Sequence, residues 1–162
     1  MYKIAVVTVS DKGSRGERVD ESGPAIREMI AFLSEAVAGY MVSDELTEIQ
    51  ELLIRLCDTE KNNLILTTGG TGLSPRDNTP EATLAVIRRQ APGLAEAMRQ
   101  ESLKKTNRAM LTRAVAGVRG GTLIVNLPGS VKAVRECLEV ILPALPHALE
   151  VLAGQVSDCG AP

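Results

Sequence analysis

The sequence predicts a single domain over residues 1–162 with an α/β fold, a three-layer α/β/α arrangement around a mostly parallel central sheet. Short apolar runs rich in β-branched residues are typical of parallel strands buried on both faces. Segments with helical periodicity alternate with these runs, as expected for a parallel sheet with crossover helices. The chain of 162 residues is 44% hydrophobic, which is enough apolar material for one sizeable core.

Four segments have the apolar character of strands. Residues 3–9 (KIAVVTV), 64–67 and 122–127 are almost continuously apolar or β-branched, whereas 37–42 is weaker because it contains Gly39. With helices between them, these segments predict the element order β-α-β-α-β-α-α-β-α-α.

The segments between and after the strands are predicted to be helices. Their starts are marked by side chains that suit a helix N-terminus, namely Ser22, Asp44, Thr79 and Ser130. Pro80 follows Thr79 at the first helical position, which strengthens that start. A further helix is predicted over 94–103, and the last helical stretch is predicted to end near Gly154.

Composition and charge exclude several classes of function. A net charge of −2 and an aromatic content of 2% provide neither the basic field nor the stacking platforms that nucleic-acid binding requires. Cys57, Cys137 and Cys159 are far apart and His147 is the only histidine, which excludes a Cys/His zinc site within one chain. The odd number of cysteines and the lack of a signal peptide indicate a reducing cytoplasm, and no apolar run is long enough to cross a bilayer.

Ligands of parallel α/β sheets bind in the loops that follow the strands. The loop after the third predicted strand, 68–72 (TGGTG), has three glycines that let backbone N–H groups approach a ligand and form a nest for phosphate. It lacks the lysine of a Walker A loop and the spacing of the dinucleotide fingerprint, so neither of those motifs applies. The glycine-rich loop therefore predicts an anion-binding site of another kind.

Three of these loops also present an aspartate at the same edge of the sheet. Asp44 follows the second predicted strand and Asp77 follows the glycine-rich loop, and paired carboxylates beside a phosphate site are suited to Mg²⁺. Either residue alone fits a helix start or a turn equally well, and Asp11 is the weakest of the three candidates. The residues alone therefore indicate an Mg²⁺-assisted enzyme acting on a phosphate-bearing substrate, with a nucleotide favoured.

Two further features each keep two interpretations. The segment 126–130 (NLPGS) is either a capped helix start or a contact with an anionic ligand. The stretch 99–119 has six basic residues and one acidic residue, Glu101, and is either a solvated face or the dock for a second, phosphate-bearing substrate.

Eight stretches in order along the chain carry a resemblance to a known family: 8–11 (TVSD), 20–24 (DESGP), 44–45 (DE), 67–72 (TTGGTG), 75–82 (PRDNTPEA), 92–99 (PGLAEAMR), 111–117 (LTRAVAG) and 126–133 (NLPGSVKA). Together they resemble the molybdopterin adenylyltransferases of the MogA/MoaB type, whose fold is shared with gephyrin-like proteins. The resemblance implies the MogA-like α/β/α fold. Ser43 departs from it, because many members have Pro before the Asp-Glu pair.

The resemblance also implies an activity, the Mg²⁺-dependent transfer of AMP from ATP to the terminal phosphate of molybdopterin with release of pyrophosphate. It implies catalytic and metal-binding roles for Asp44 and Asp77. Binding of the nucleotide or molybdopterin in one shared cleft is implied for Ser10, Asp11, Thr68, Gly69, Gly70, Thr71, Gly72, Ser102, Asn126, Pro128, Gly129 and Ser130. A homotrimer or a dimer of trimers, and a partner enzyme that inserts molybdate, are implied as well.

Two other functions remain open at this point. The same fold could hold molybdopterin or a nucleotide without chemistry, and the absence of pyrophosphate release would identify such a binding module. A domain of the competence-damage-inducible type also has glycine-rich loops and hydrolyses nucleotide pyrophosphates, although the stretches 75–82 and 126–133 disfavour it. Three aspartate-bearing loops at one sheet edge disfavour a purely structural role.

Overall fold

A computed structural model describes residues 2–155 of the chain, so Cys159 lies outside the described part. The strands are β1 (Ile4–Val9), β2 (Val37–Val42), β3 (Leu64–Thr68), β4 (Arg89–Gln90), β5 (Ala116–Arg119) and β6 (Thr122–Leu127). The helices are α1 (Asp11–Ser14), α2 (Ser22–Met29), α3 (Leu46–Ile54), α4 (Thr79–Val86), α5 (Pro92–Leu103), α6 (Val131–Ile141) and α7 (Leu145–Leu152). A π-helical turn (Arg55–Thr59) extends α3, and short 3₁₀ turns cover Asn107–Leu111 and Leu142–Ala144.

The six strands form one sheet in the order β2-β1-β3-β6-β5-β4. The first four are mutually parallel, β5 is antiparallel to β6, and β4 is antiparallel to β5. The prediction of a mostly parallel sheet is therefore confirmed. From β1 the chain proceeds to β2 on one side and continues through β3 on the other, so the topological switch point lies between β1 and β3.

The strands β4 and β5 were not predicted from the sequence. The strand β4 has only two residues, both exposed, and β5 has four residues including Gly117, so neither produces an apolar run. The Gly120-Gly121 pair between β5 and β6 was the available signal, because Gly120 has a φ of +56° in the connecting hairpin turn.

Two apolar clusters lie on the two faces of the sheet. On one face Ile4 and Leu66 pack with α2, α5, α6 and α7, and on the other Val7 and Ile65 pack with α3 and α4. Every residue of β1, β3 and β6 is buried, which explains why these strands read as continuous apolar runs. The expected three-layer arrangement is confirmed.

Three of the predicted helix starts differ in the structure. Asp44 does not cap α3, which begins at Leu46 without a side-chain cap, and its carboxylate accepts from the Asp11 N–H instead. The helix α2 starts at Ser22, but its backbone is capped by Asp20, whose Oδ1 accepts from the Gly23 N–H at 2.9 Å. The Thr79 hydroxyl makes no cap and instead donates to the Gly69 carbonyl at 2.8 Å. The Ser22 hydroxyl likewise donates to a carbonyl, that of Gly129, at 2.8 Å. Sequence spacing does not reveal such contacts between loops.

The cap at Ser130 is as predicted, since its hydroxyl accepts from the Ala133 N–H at 3.3 Å at the start of α6. The predicted 94–103 helix begins two residues earlier, at Pro92. Within residues 2–155, no helix has both the length and the apolar composition to cross a membrane.

Candidate active site

A cleft of about 540 Å³ lies at the carboxyl ends of β1 and β3, where the switch point was expected to place a ligand. It brings together eight of the predicted site residues: Ser10, Asp44, Thr68, Gly69, Gly70, Asp77, Gly129 and Ser130. The rest of the wall includes Met41 of β2 and four residues of the loop before α2, namely Arg18, Val19, Asp20 and Glu21.

The glycine-rich loop lies against neighbouring backbone. Gly69 has a φ of +94°, and a Cβ at this position would collide with the carbonyl oxygen of Val9 at the end of β1. Gly70 has a φ of +66°, and its Cβ would collide with the Thr79 hydroxyl and lie 3.2 Å from Asp44 Oδ1. Only glycine therefore lets this loop approach both β1 and the carboxylate of Asp44.

The loop carbonyls are engaged on the side of α4. The Gly69 carbonyl accepts from the Thr79 hydroxyl at 2.8 Å, and the Gly70 carbonyl accepts from the Thr79 N–H at 3.1 Å. In a trans peptide the following N–H group points the opposite way, and within residues 2–155 the N–H groups of Gly70 and Thr71 donate to no protein acceptor. The loop therefore offers free N–H donors, as the nest interpretation requires.

Asp44 is held by a reciprocal pair of hydrogen bonds with Asp11. The Asp11 N–H donates to Asp44 Oδ2 at 2.8 Å, and the Asp44 N–H donates to Asp11 Oδ1 at 3.0 Å. The Asn78 side chain donates to the Asp44 carbonyl at 3.0 Å. The Ser43 hydroxyl, at the position where the resemblance led us to expect Pro, donates to the Glu48 carboxylate.

Asp77 is held within the turn that follows the glycine-rich loop. Its Oδ2 accepts from the Ser74 N–H at 2.9 Å, and the same atom lies 2.9 Å from the position that a Cβ on Gly72 would take. The Arg113 guanidinium donates to the carbonyls of Gly72 and Asp77, each at 2.7 Å, and pairs with Glu81. Arg113 thus connects both ends of this turn.

The two carboxylates fit a hard divalent cation. In both residues the hydrogen bonds within the described chain occupy Oδ2 and leave Oδ1 without a protein donor. Residues 2–155 contain no group of three or more His, Cys, Asp or Glu side chains that could hold a metal. The protein oxygens available here are therefore the two Oδ1 atoms. That donor set suits Mg²⁺, which is commonly held by one or two carboxylates and completes its coordination with phosphate oxygens and water.

Burial raises the pKa of Asp44 above its ordinary value of 3.8, and the negative charges of Asp11 and Asp77 add to the increase. The neutral form of this carboxyl group is therefore favoured more than in an exposed aspartate. A bound cation would oppose this effect by stabilising the ionised form.

We expect cation binding at Asp44 to be lost at a higher pH than at an ordinary aspartate. A cation needs the ionised carboxylate, so Mn²⁺ affinity should fall as the pH drops through the raised pKa of Asp44. The measurement is Mn²⁺ binding followed by electron paramagnetic resonance in buffers from neutral to about pH 4. An affinity that stays constant down to the ordinary aspartate range would contradict the expectation.

Four of the predicted binding residues take other positions around the cleft. Asp11 faces Arg76 and Asp44, and Thr71 and Gly72 use their carbonyls to accept from Arg113. The Pro128 carbonyl accepts from the Thr68 hydroxyl at 2.7 Å, so Pro128 supports the cleft from behind.

Ser102 and Asn126 lie at a second pocket of about 190 Å³ between α5, α6 and β6. Met98 and Cys137 also line it, and the Ser102 hydroxyl lies 3.5 Å from Cys137 Sγ. The expectation that the α5 residues face the same cleft as Asp44 is therefore not met. The loop over 126–130 separates the two pockets, because Pro128 lines the second and Gly129 lines the first.

Asn126 is fully buried and all of its polar atoms are paired. Its amide donates to the hydroxyls of Thr67 at 3.0 Å and Thr83 at 2.9 Å, and its Oδ1 accepts from the Val115 N–H at 3.2 Å. The side chain joins β3, α4 and the segment before β5. Its position supports the fold beneath the cleft.

Asn126→Ala is expected to lower the free energy of unfolding by about 2–4 kcal/mol, because it leaves buried hydroxyl and N–H groups without partners and opens a small cavity. Urea unfolding measures this change. Asn107→Ala, at an exposed asparagine, is the control and should stay within about 0.5 kcal/mol of the wild type. An equally small effect at Asn126 would contradict the supporting role.

Sequence reasoning did not single out three residues that organise the site: Asp20, Arg76 and Arg113. Asp20 joins β1 to the loop before α2, since its Oδ2 accepts from the Thr8 hydroxyl at 2.7 Å. Its position three residues before Gly23 is the spacing of a helix cap and was an available signal. Arg76 and Arg113 act across more than thirty residues of sequence, and no local pattern marks such pairs.

The basic stretch 99–119 does not form a continuous cationic face. Lys104, Lys105, Arg113 and Arg119 pair with acidic side chains, and Arg99 donates to the carbonyls of Ala95 and Ala114. In the described part of the chain, Arg108 is the one basic side chain of this stretch with neither an ion pair nor a hydrogen bond. The geometry therefore favours the interpretation of a solvated, internally paired surface.

The fold and the cleft together define an α/β protein that presents a glycine-rich loop and two carboxylates at the switch point of a parallel sheet. Residues 5–147 match the family model described as a probable molybdopterin binding domain. The match spans most of the chain, and the protein belongs to this family.

Individual relatives agree with this assignment. A curated molybdopterin adenylyltransferase from Helicobacter pylori is 44% identical over 154 residues, covering 93% of this chain and 88% of the relative. The crystal structure of the molybdopterin biosynthesis enzyme MoaB from Thermus thermophilus is 54% identical, with a TM-score of 0.88 and coverage of 95% of this chain and 98% of that one. The molybdopterin biosynthesis Mog protein from Mycobacterium ulcerans has the same TM-score at 38% identity, over 94% of this chain and 99% of that one.

Proposed function

We propose that the protein is a molybdopterin adenylyltransferase of molybdenum cofactor biosynthesis, which transfers AMP from ATP to the terminal phosphate of molybdopterin and releases pyrophosphate. The observation that carries the proposal is the cleft in which Asp44 and Asp77 flank the glycine-rich loop. The name of the Helicobacter pylori relative, which is similar over nearly the whole chain, supports the same activity.

In this proposal Asp44 and Asp77 are the residues that would hold Mg²⁺, since each has a carboxylate oxygen without a donor from the described chain. The bound Mg²⁺ would neutralise charge on the α-phosphate and on the pyrophosphate leaving group. The free N–H groups of Gly70 and Thr71 bind phosphate oxygens and orient the α-phosphorus for in-line attack. Arg113 and Thr79 hold this loop from the other side and keep the donors in place.

The chemical step forms one phosphoanhydride bond at the α-phosphorus of ATP and breaks another. An oxygen of the molybdopterin phosphate bonds to the α-phosphorus of ATP, and the bond from that phosphorus to the bridging oxygen of the β-phosphate breaks. The nucleophile is already an anionic oxygen, so no general base is needed. This agrees with the position of His147, the only histidine, whose exposed ring lies 3.9 Å from Glu150 on α7.

The test is pyrophosphate release from Mg-ATP by the purified protein with and without molybdopterin. Release that depends on molybdopterin supports the adenylyltransferase. Binding of molybdopterin without release would instead identify a binding module. Hydrolysis of ATP or ADP-ribose without molybdopterin would identify a nucleotide pyrophosphatase of the competence-damage-inducible type.

We also propose that the protein works in the cytoplasm as a homotrimer and supplies its product to an enzyme that inserts molybdate. Exposed apolar side chains support self-association, because Leu73, Met110 and Leu111 are each more than half exposed. Light scattering coupled to gel filtration tests the assembly, and a monomer at micromolar concentration would contradict it.

A further inference from the structure

We propose that Arg76 is a positioning residue for the carboxylate pair, and that its ion pairs with Asp11 and Glu45 set where the Asp44 carboxylate lies relative to Asp77. This inference rests on the proposed function in so far as that function places a divalent cation at Asp44 and Asp77. It assigns to Arg76 no contact with the cation or the substrate.

Arg76 connects three loops that follow three different strands. Its Nε and one terminal nitrogen donate to the two oxygens of Asp11 at 3.0 and 2.9 Å, and its other terminal nitrogen donates to Glu45 Oε1 at 2.6 Å. Asp11 follows β1, Glu45 follows β2, and Arg76 itself lies in the turn after β3. The planar guanidinium suits this fork, because its donors match a carboxylate in a bidentate arrangement.

The network continues from Arg76 to the site through Asp11. The Asp11 carboxylate pairs with Arg76. The Asp11 backbone N–H also donates to Asp44 Oδ2, and Asp11 Oδ1 accepts from the Asp44 N–H. Asp44 Oδ2 is thereby fixed against the β1 loop, and Oδ1 is left on the side of Gly70. Arg76 is also the direct sequence neighbour of Asp77, so its ion pairs tie the turn that carries Asp77 to the loops after β1 and β2.

Charge provides a second reason for this role. Asp11, Asp44 and Asp77 follow three strands at one edge of the sheet, and Asp11 exchanges two hydrogen bonds with Asp44. The guanidinium of Arg76 pairs with the Asp11 carboxylate and compensates its negative charge. The site can then present two carboxylates in a fixed arrangement without an unpaired third one beside them.

An isolated surface ion pair would have little effect, and the Arg76 side chain is 49% exposed. The difference here is that one bidentate pair and one further ion pair converge on a single guanidinium that bridges loops holding both proposed ligands. Groups that orient metal ligands in this way typically affect metal affinity by about 10–100-fold when removed. A loss of metal affinity of this size would distinguish a positioning role from an isolated surface ion pair.

The experiment measures Mn²⁺ binding by electron paramagnetic resonance, with a non-cleavable α,β-methylene analogue of ATP present. Five proteins are compared: the wild type, Arg76→Gln, Arg76→Lys, the double variant Arg76→Gln with Asp11→Asn, and Arg119→Gln. Arg119 is a matched control, because it makes a bidentate pair with Asp58 at 3.0 and 2.6 Å but lies beside the first residue of β6, at the opposite edge of the sheet. Hydrogen exchange of peptides covering 10–14 and 43–46 reports the Asp11 and Asp44 amides without any metal.

We expect Arg76→Gln to raise the dissociation constant for Mn²⁺ by about 10-fold or more and to speed exchange of the Asp11 and Asp44 amides. Arg76→Lys keeps the charge but loses the fork, and should recover only part of the affinity. Arg119→Gln should match the wild type in both measurements. The double variant with Asp11→Asn should have nearly the same dissociation constant for Mn²⁺ as Arg76→Gln alone, because the two side chains act as one unit.

Three outcomes would overturn the inference. Unchanged Mn²⁺ affinity in Arg76→Gln with unchanged exchange would make Arg76 an ordinary surface residue. Unchanged affinity with a raised KM for ATP would assign it to substrate contact. A wild-type protein that binds no Mn²⁺ would overturn the metal site in the proposed function as well, which distinguishes failure of that function from failure of the inference on Arg76 alone.

Discussion

Asp44→Asn and Asp77→Asn are each expected to lower the turnover of adenylyl transfer by about 10²–10³-fold while the fold stays intact. Each change removes one negative charge where the proposal places a cation between the protein and the phosphates. It keeps an oxygen that can accept from the Asp11 N–H or the Ser74 N–H, so the surrounding loops retain their hydrogen bonds. The measurement is the initial rate of molybdopterin-dependent pyrophosphate release at saturating Mg-ATP.

The matched control is Asp58→Asn, which removes the carboxylate that pairs with Arg119 far from the cleft. This variant should keep close to wild-type turnover. Circular dichroism and thermal unfolding of all three variants show whether a rate loss has a structural origin. Near-normal turnover in both site variants would refute the assignment of Asp44 and Asp77 to the reaction.

Gly69→Ala is expected to lower the free energy of unfolding by about 3 kcal/mol and to reduce turnover strongly. An alanine at a φ of +94° is strained, and its Cβ would also collide with the Val9 carbonyl. The loop can relieve this collision only by moving away from β1, which displaces Gly70 from its position in the cleft. Urea unfolding and pyrophosphate release measure the two effects on the same protein preparation.

Gly120→Ala separates backbone strain from this collision. Gly120 has a φ of +56° in the turn between β5 and β6, and a Cβ there would meet nothing within 4 Å. Gly120→Ala should lower the free energy of unfolding by about 1 kcal/mol, because of the backbone conformation alone, and should leave turnover unaffected. If Gly69→Ala costs no more than Gly120→Ala, the close approach of the glycine-rich loop to β1 does not constrain the site.

The sequence located the cleft because its signals are local and follow from the order of the strands. Fully buried β1 and β3 read as apolar runs, and the loops after parallel strands necessarily meet at one edge of the sheet. Asp44, Gly69 and Asp77 were placed at one sheet edge for this reason, and in the structure all three line the same cleft. Their roles in binding and catalysis stay predictions that the variants above test.

Residues were misplaced where position depends on how a helix packs. Ser102 was grouped with the cleft through the resemblance, but α5 lies behind the 126–130 loop, so Ser102 opens into the second pocket instead. Thr79 was expected to cap α4, and its hydroxyl instead holds the Gly69 carbonyl. In both cases the deciding neighbour is distant in sequence, or belongs to another element.

The sequence by itself determined the parallel α/β fold, the glycine-rich loop and the two carboxylates, because strand burial, loop glycines and helix starts are encoded within a few consecutive residues. Only the tertiary structure decided which side chains connect those loops. The pairs of Arg76 with Asp11 and of Arg113 with the Gly72 and Asp77 carbonyls form across 36 to 65 residues. Such contacts depend on the relative placement of several elements, and that placement is fixed by packing of the whole core rather than by any local pattern.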